Sequence, residues 1–194
     1  MFGHTPAVVS SLLWGFWLVS WLLAARWSTR AVVRQSRRDS LTHIGLISAG
    51  ALFMFGRFAA VPRLGHALFP AAAWIGWVGV AAMAVGFAFT WWARLHLGDL
   101  WSANVTLKAD HAIVRSGPYG VTRNPIYSGL LLALVATAIV RNDAAALPGL
   151  ALMVSGLLVK VRQEERVLAA RFGPAYDEYR ARVPALVPRL WRSR

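Results

Sequence analysis

Five stretches of the chain are apolar, nearly free of charge and long enough to form helices. Residues 6–26 carry no charge until Arg26, and as a helix they reach across about 30 Å of hydrocarbon. Trp14, Trp17 and Trp21 recur there at helical spacing and share one stripe. No Lys or Arg stands in residues 1–4, and the first basic residue follows the run. A cleaved signal peptide has the reverse order, so the stretch reads as a retained span. Residues 41–61 form the second stretch, with Arg57 near its end and Pro62 closing it. Residues 71–93 form the third. Ala72, Gly76, Gly79, Ala82 and Gly86 place a face of small residues along it, where a second helix can approach closely. Residues 126–140 and 144–161 are shorter, and only Arg141, Asn142 and Asp143 separate them. So short a link predicts an antiparallel helical hairpin, with Asp143 as the N-cap of the returning helix.

The basic residues set the direction of these spans. With five crossings, one side receives Arg26, Arg30, Arg34, Arg37 and Arg38, then Arg94, Lys108, Arg115 and Arg123, then the nine Lys and Arg from Lys160 to Arg194. The other side receives Arg57, Arg63 and Arg141. Lys and Arg accumulate on the cytoplasmic side of membrane proteins, which places the N-terminus outside and the C-terminus in the cytoplasm. The expected fold is therefore an all-α integral membrane protein. It is a single membrane domain over residues 1–194, with about five transmembrane helices and a C-terminal helical hairpin. Two cytoplasmic segments, 94–125 and 160–194, hold most of the polar sequence.

Composition narrows the chemistry. The chain of 194 residues is 57% hydrophobic and 15% charged, against about 25% charged in soluble domains, and it is too apolar for a disordered chain. It has no cysteine, which excludes disulfides, thiolate metal sites and a cysteine nucleophile. The net charge of +13 would point to nucleic acid in a soluble protein, but here the basic residues follow topology, so no nucleic-acid partner is expected. His4, His43, His66, His96 and His111 lack the paired spacing of metal ligands, and no metal is expected. A glycine-rich phosphate loop is missing as well.

In the first polar segment, residues 116–120 (SGPYG) read as a turn. Asn124-Pro125 then reads as a helix start, with Asn as the cap and Pro at the first helical position. Such an end presents free backbone N–H groups to an anion, although a well-capped helix without a ligand has the same pattern. In the second, KVRQEER at residues 160–166 follows the last apolar run. Lys160 pairs with Glu164 and Arg162 with Glu165 at helical spacing, and these pairs read either as an interfacial ladder or as functional charge at membrane depth. Gly173-Pro174 breaks the helix. Residues 175–183 form one more short helix, with Tyr176, Tyr179 and Val183 on one face, and Tyr and Trp191 suit the membrane surface.

Taken together, the segments HAIVRSGPYGVTRNPIYSG (residues 111–129) and EERVLAARFGPAYDEYRARVP (residues 164–184), in this order around a helical hairpin, resemble the isoprenylcysteine carboxyl methyltransferase family. Its wider superfamily includes phospholipid N-methyltransferases. The resemblance implies an enzyme that uses S-adenosyl-L-methionine, with a cofactor pocket open to the cytosol and a lipid-like acceptor arriving from the bilayer. By position, the family's cofactor contacts fall on Asn104, His111, Ala112, Ile113, Val114, Tyr119, Asn124, Pro125, Ile126, Tyr127 and Glu164. The basic residue that the family associates with its substrate falls on Lys160, where Arg is typical, with Arg162 as the neighbouring alternative. Asn124 also departs from the family, which has His there.

Three acceptors stay open. A carboxylate nucleophile needs only a cation to orient it, which Lys160 or Arg162 supplies, and carboxyl O-methylation is the expected reaction. A phospholipid amine must first lose a proton, and Glu165 is then the candidate base. A thiol is the third. Two other classes are an NADPH-dependent enzyme of the sterol-reductase kind, with Arg115 and Arg123 facing a 2′-phosphate, and a membrane scaffold without catalysis. The Ala- and Arg-rich composition places the chain in a bacterial inner membrane.

Overall fold

The computed structural model describes residues 5–27, 37–56, 61, 63–98 and 113–188. These residues form seven α-helices and one short 3-10 turn, and no strand occurs among them. Helix α1 spans Thr5–Ala24 and runs into the 3-10 turn Ala25–Trp27. Helices α2 (Arg37–Phe55) and α3 (Ala73–Leu97) follow. A single-turn helix α4 (Pro118–Val121) precedes α5 (Pro125–Arg141), α6 (Ala146–Phe172) and α7 (Pro174–Arg182). Helices α1, α3 and α6 are each long and apolar enough to cross a membrane, and Ser40–Phe55 and α5 are shorter apolar helices.

Three of the five expected stretches lie within a few residues of these helices, α6 runs on beyond its expected end, and α2 stops early. It begins at Arg37 and ends at Phe55, not Val61. Its last carbonyls explain the early stop. The Arg141 guanidinium donates to the carbonyls of Met54 and Gly56, so the end of α2 is capped by a side chain from α5. Val61 already accepts turn hydrogen bonds from Leu64 and Gly65. Helix α6 extends well past Val161 to Phe172, where Gly173 at φ +49° ends it, as the Gly173-Pro174 break predicts.

Glycine decides which helices meet. Helices α3 and α5 run antiparallel with Gly86 against Gly129, so close that a Cβ on Gly86 would stand 2.6 Å from the Gly129 carbonyl oxygen. Gly79 likewise faces Ala136 and Val140, so the small-residue face read from the sequence is the α3–α5 seam. Helices α2 and α6 pack antiparallel in the same way, through Gly50, Gly149 and Gly156. Helix α1 lies parallel to α3, with Pro6 beside Gly76, Trp17 bonded to Thr90, and Ala24 bonded to Arg94. The tryptophan stripe faces inward. The indole N–H of Trp14 donates to Thr137 at 2.9 Å and that of Trp17 to Thr90 at 2.8 Å. A buried indole N–H needs such a partner where no water can supply one.

The cap position of α6 is Ala145, without a side-chain cap bond, and the expected cap residue Asp143 lies in the turn before it. Asp143 Oδ1 accepts the Ala146 N–H at 3.0 Å, although a tight turn delays the first α-helical residue to Ala146. Each arm of this pair nonetheless makes its larger interface elsewhere, α5 on α3 and α6 on α2. The connection before α3 folds over the turn. Asn142 binds the backbone of Leu68 and Phe69, and Ala144 and Ala145 donate to His66 and Leu64.

The glycine seam sets a stability prediction. Gly86→Ala forces a methyl group into the Gly129 carbonyl and is expected to cost about 1–3 kcal/mol, lowering the melting temperature of the detergent-solubilised protein. Gly45→Ala, with nothing within 4 Å of the added carbon, leaves melting unchanged or higher. Equal melting of the two variants would contradict the close approach.

Candidate active site

The described parts of the two polar segments converge at one end of the bundle, where α6 passes the start of α5. Val161 and Leu157 face the interior there. At 3.6 residues per turn, Lys160 and Glu164 share a face beside that buried stripe, while Arg162 points roughly 200° away from Lys160 and is exposed. Glu164 Oε1 accepts the Tyr127 hydroxyl at 2.6 Å, and the Lys160 ammonium lies 3.3 Å from the same oxygen. Tyr127 is the third residue of α5, and fully buried Pro125 anchors that helix at its first position. The side chains of Lys160 and Glu164 retain 16% and 23% exposure, so the carboxylate is still open to a ligand. The N–H groups of Ile126 and Tyr127 open the same helix and have no acceptor within it.

Helix α4 brings Tyr119 alongside. Gly117, at φ +58°, makes the turn that the SGPYG pattern predicts, and it continues into a single helical turn. The His96 ring fills the space a Cβ on Gly117 would take, lies 2.9 Å from the Ser116 hydroxyl, and stacks on Tyr119. The Tyr179 hydroxyl donates to the Tyr119 carbonyl at 2.6 Å. Burial first, then the neighbouring Tyr179 phenol and Glu164 carboxylate, holds the Tyr119 phenol well above its ordinary range.

Glu165 belongs to a separate cluster. Its expected local partner is Arg162, yet it takes the Arg123 guanidinium in a two-pronged pair at 2.9 and 3.1 Å. Asn124 Nδ2 adds a third bond at 2.9 Å. Asn124 does occupy the position before Pro125, but its side chain does not cap α5. It is drawn to Glu165 and to the Ala185 carbonyl, because the segment after α7 passes close by. Residues 183–186 form a strap there. The backbone N–H groups of Arg123 and Asn124 donate to Pro184 and Ala185, Ser128 Oγ donates to Leu186, and Arg123 reaches the carbonyls of Arg180 and Val183. Burial opposes the charge on Arg123, but hydrogen bonding and attraction from Glu165 outweigh it, so the guanidinium is held protonated.

Among the expected site residues, Tyr119, Tyr127, Lys160 and Glu164 come together, while Asn124 and Glu165 form the second cluster. Ile113 and Val114 are half-buried in the irregular stretch leading to the turn, and Ile126 is half-buried on α5. Asn104, His111 and Ala112 lie outside the described residues. Tyr176 and Tyr179, read as membrane-surface residues, are instead buried against the protein, because the strap and α4 close over α7; Trp191 lies outside the described residues. Sequence reasoning gave Arg123, Tyr179 and His96 no part in this arrangement. The dipeptide Arg123-Asn124 ahead of Pro125 carried a signal for the first, and the shared face of Tyr176 and Tyr179 for the second. For His96 no sequence signal existed.

All four tyrosines of the chain sit at this end, which allows a spectroscopic check. Burial, then the Glu165 charge, pushes the Tyr176 phenol up to about 12, and Tyr179 is also raised. A raised phenol favours the fold while it is neutral. The stability it lends is therefore whole below about pH 10 and is lost as the pH climbs toward 12. In Tyr127→Phe protein, tyrosinate absorbance near 295 nm is expected to appear with alkaline unfolding. Titration near pH 10 in the folded state would show that these rings are exposed.

The segment that holds this site is similar to a known family. Residues 77–170 match the isoprenylcysteine carboxyl methyltransferase (ICMT) family. The cobalt-zinc-cadmium resistance protein CzcN of Cupriavidus metallidurans is 33% identical over 130 residues, which are 66% of this chain and 59% of that protein. Methanethiol S-methyltransferase 2 of Bradyrhizobium diazoefficiens is 30% identical over 176 residues, 87% of this chain and 66% of that protein. In fold, the chain is similar to the eukaryotic intramembrane Ras methyltransferase ICMT, with a TM-score of 0.57, 22% identity, and coverage of 81% of this chain and 54% of that one. The chain thus spans less than two thirds of the length of each. The matched residues 77–170 hold most of α3, all of α5 and the Tyr127–Glu164 pair, so this end of the bundle lies within the segment similar to the isoprenylcysteine carboxyl methyltransferase family.

Proposed function

We propose that the protein is an S-adenosyl-L-methionine-dependent methyltransferase acting on a hydrophobic acceptor from the bilayer. The observation that carries this reading is the Glu164 carboxylate, bonded to Tyr127 and still partly open, at the N-terminus of α5 inside the family-matched segment. The donor set suits the cofactor, which has an ammonium and ribose hydroxyls for Glu164 and a carboxylate for the N–H groups of Ile126 and Tyr127. Tyr119 and Tyr127 offer ring faces, and Ile113, Val114, Asn104, His111 and Ala112 are proposed to complete the contacts. When bound, the cofactor supplies a sulfonium methyl group. The residues of this chain then contribute alignment and exclusion of water.

The helix directions support five alternating crossings closed by the α5–α6 hairpin in one membrane domain, while the one-sided distribution of Lys and Arg supports an N-terminus outside and a site in the cytoplasm, and the Ala- and Arg-rich composition supports a bacterial cell. Helix α1 is parallel to α3, and α5 and α6 each oppose their partner.

Carboxyl O-methylation is the acceptor chemistry that the family name favours, with Lys160 beside Glu164 as the orienting cation. Arg162, on the exposed face, is the less suited of the two. Methylation of a thiol is a second reading, favoured because the methanethiol methyltransferase aligns with 87% of this chain. For an amine acceptor, Glu165 is poorly placed as a base, since Arg123 and Asn124 occupy its oxygens. A nicotinamide enzyme would need Arg115 and Arg123 for a 2′-phosphate. Both are committed, Arg115 to Glu178 and the Ala175 carbonyl, and Arg123 to Glu165.

Calorimetric titration of S-adenosylhomocysteine into the detergent-purified protein tests the reading. Saturable binding is expected, weakened about tenfold or more in Glu164→Gln and in Tyr127→Ala. No binding by folded wild type, or binding of NADPH in its place, overturns it. Labelled methyl incorporated by membranes and released by mild base identifies an ester, and base-stable label identifies a thioether or amine.

A further inference from the structure

We infer that the Arg123–Glu165 pair is a positioning element that sets the direction in which Glu164 faces. The inference rests on the function proposed above, since Glu164 is the ligand-facing carboxylate of that reading.

The argument begins with helix geometry. Glu164 and Glu165 are consecutive on α6, so their side chains leave the helix about 100° apart. Any rotation of α6 that pulls Glu165 from Arg123 also swings Glu164 away from Tyr127. Apolar packing does little to prevent such a rotation at this level. The glycine contacts of α6 with α2 lie at Gly149 and Gly156, and the last buried apolar residue on α6 is Val161. Beyond Val161, α6 is gripped by polar contacts, Tyr127 on Glu164 and Arg123 with Asn124 on Glu165.

The chemistry of the grip suits the task. A guanidinium fork engaging both carboxylate oxygens fixes direction as well as distance, which a single ammonium does not. The Arg123 side chain is only 9% exposed, so solvent competes little for it. The remaining nitrogen of the fork donates to the carbonyls of Arg180 and Val183, and the backbone of Arg123 and Asn124 holds Pro184 and Ala185. One residue thus joins the start of α5, the polar end of α6 and the strap. The exposed Arg162, on α6 itself, could pair with Glu165 without constraining rotation, because both would turn together.

The test uses the full chain in detergent and needs no acceptor. Glu165→Gln and Arg123→Lys keep size and polarity but lose the charged fork. Each is expected to weaken S-adenosylhomocysteine binding about tenfold at wild-type stoichiometry. A merely structural role would lower the stoichiometry and leave the affinity of the competent molecules unchanged. A double-mutant cycle adds the decisive readout. If Glu165 acts through the Tyr127–Glu164 contact, the effect of Glu165→Gln shrinks in a Tyr127→Phe background. Arg166→Gln, exposed on the same helix, serves as the unchanged control. Unaltered affinity in Glu165→Gln, additive effects in the cycle, or failure of both variants to fold overturns the inference while leaving the proposed function standing. Absence of binding by folded wild type overturns both.

Discussion

Backbone contact between helices, made possible by glycine, is the constraint on which the rest of the structure depends. Gly86 against Gly129 brings α3 and α5 so close that no side chain fits between them, and Gly50, Gly149 and Gly156 do the same for α2 and α6. In hydrocarbon no water is released when apolar side chains meet, so close packing replaces the hydrophobic effect as the source of association. The two seams fix where α5 starts and where α6 leaves the apolar layer. Tyr127 and Glu164 meet because their helices are already held elsewhere.

A second rule governs the polar groups. The C-terminal ends of α1 and α2 are each answered by a side chain from another helix. Arg141 of α5 takes the last carbonyls of α2, and Arg94 of α3 takes the Ala24 carbonyl at the end of α1 while lying 4.9 Å over the Trp21 ring. Thr90 and Thr137 return their own hydroxyl protons to the carbonyls of Phe87 and Ala133 and so remain free to accept from the tryptophans. Arg123 extends the same practice outside the apolar layer, where it joins three segments instead of capping one helix.

Much of this was legible in the amino-acid order, because apolar length and small-residue spacing act locally. The stretches at 6–26, 71–93 and 126–140 became helices with small shifts, and the glycine face on α3 found its partner. What escaped was set by distant residues. The end of α2 depends on Arg141, far along the chain, and the local stop signal, Gly56 after Phe55, is obscured by the apolar residues that continue to Val61. Glu165 had a neighbour at helical spacing, yet a better-shaped cation on another element took it. Asn124 looked like a cap because Asn before Pro usually is one, and a nearby carboxylate and strap redirected its side chain. The pairing of Tyr127 with Glu164 was implied by family likeness alone, since nothing in spacing joins residues on two different helices.

The strap imposes an order on biogenesis. As the chain leaves the ribosome, α3 is joined by α5 after a modest interval, but α2 must wait in the bilayer for α6 with its glycine face uncovered. The polar end, where Tyr127 meets Glu164, waits longer still. It closes only when residues 183–186 emerge and find the backbone of Arg123 and Asn124. The bundle can therefore pack before the segment that closes this end has been made.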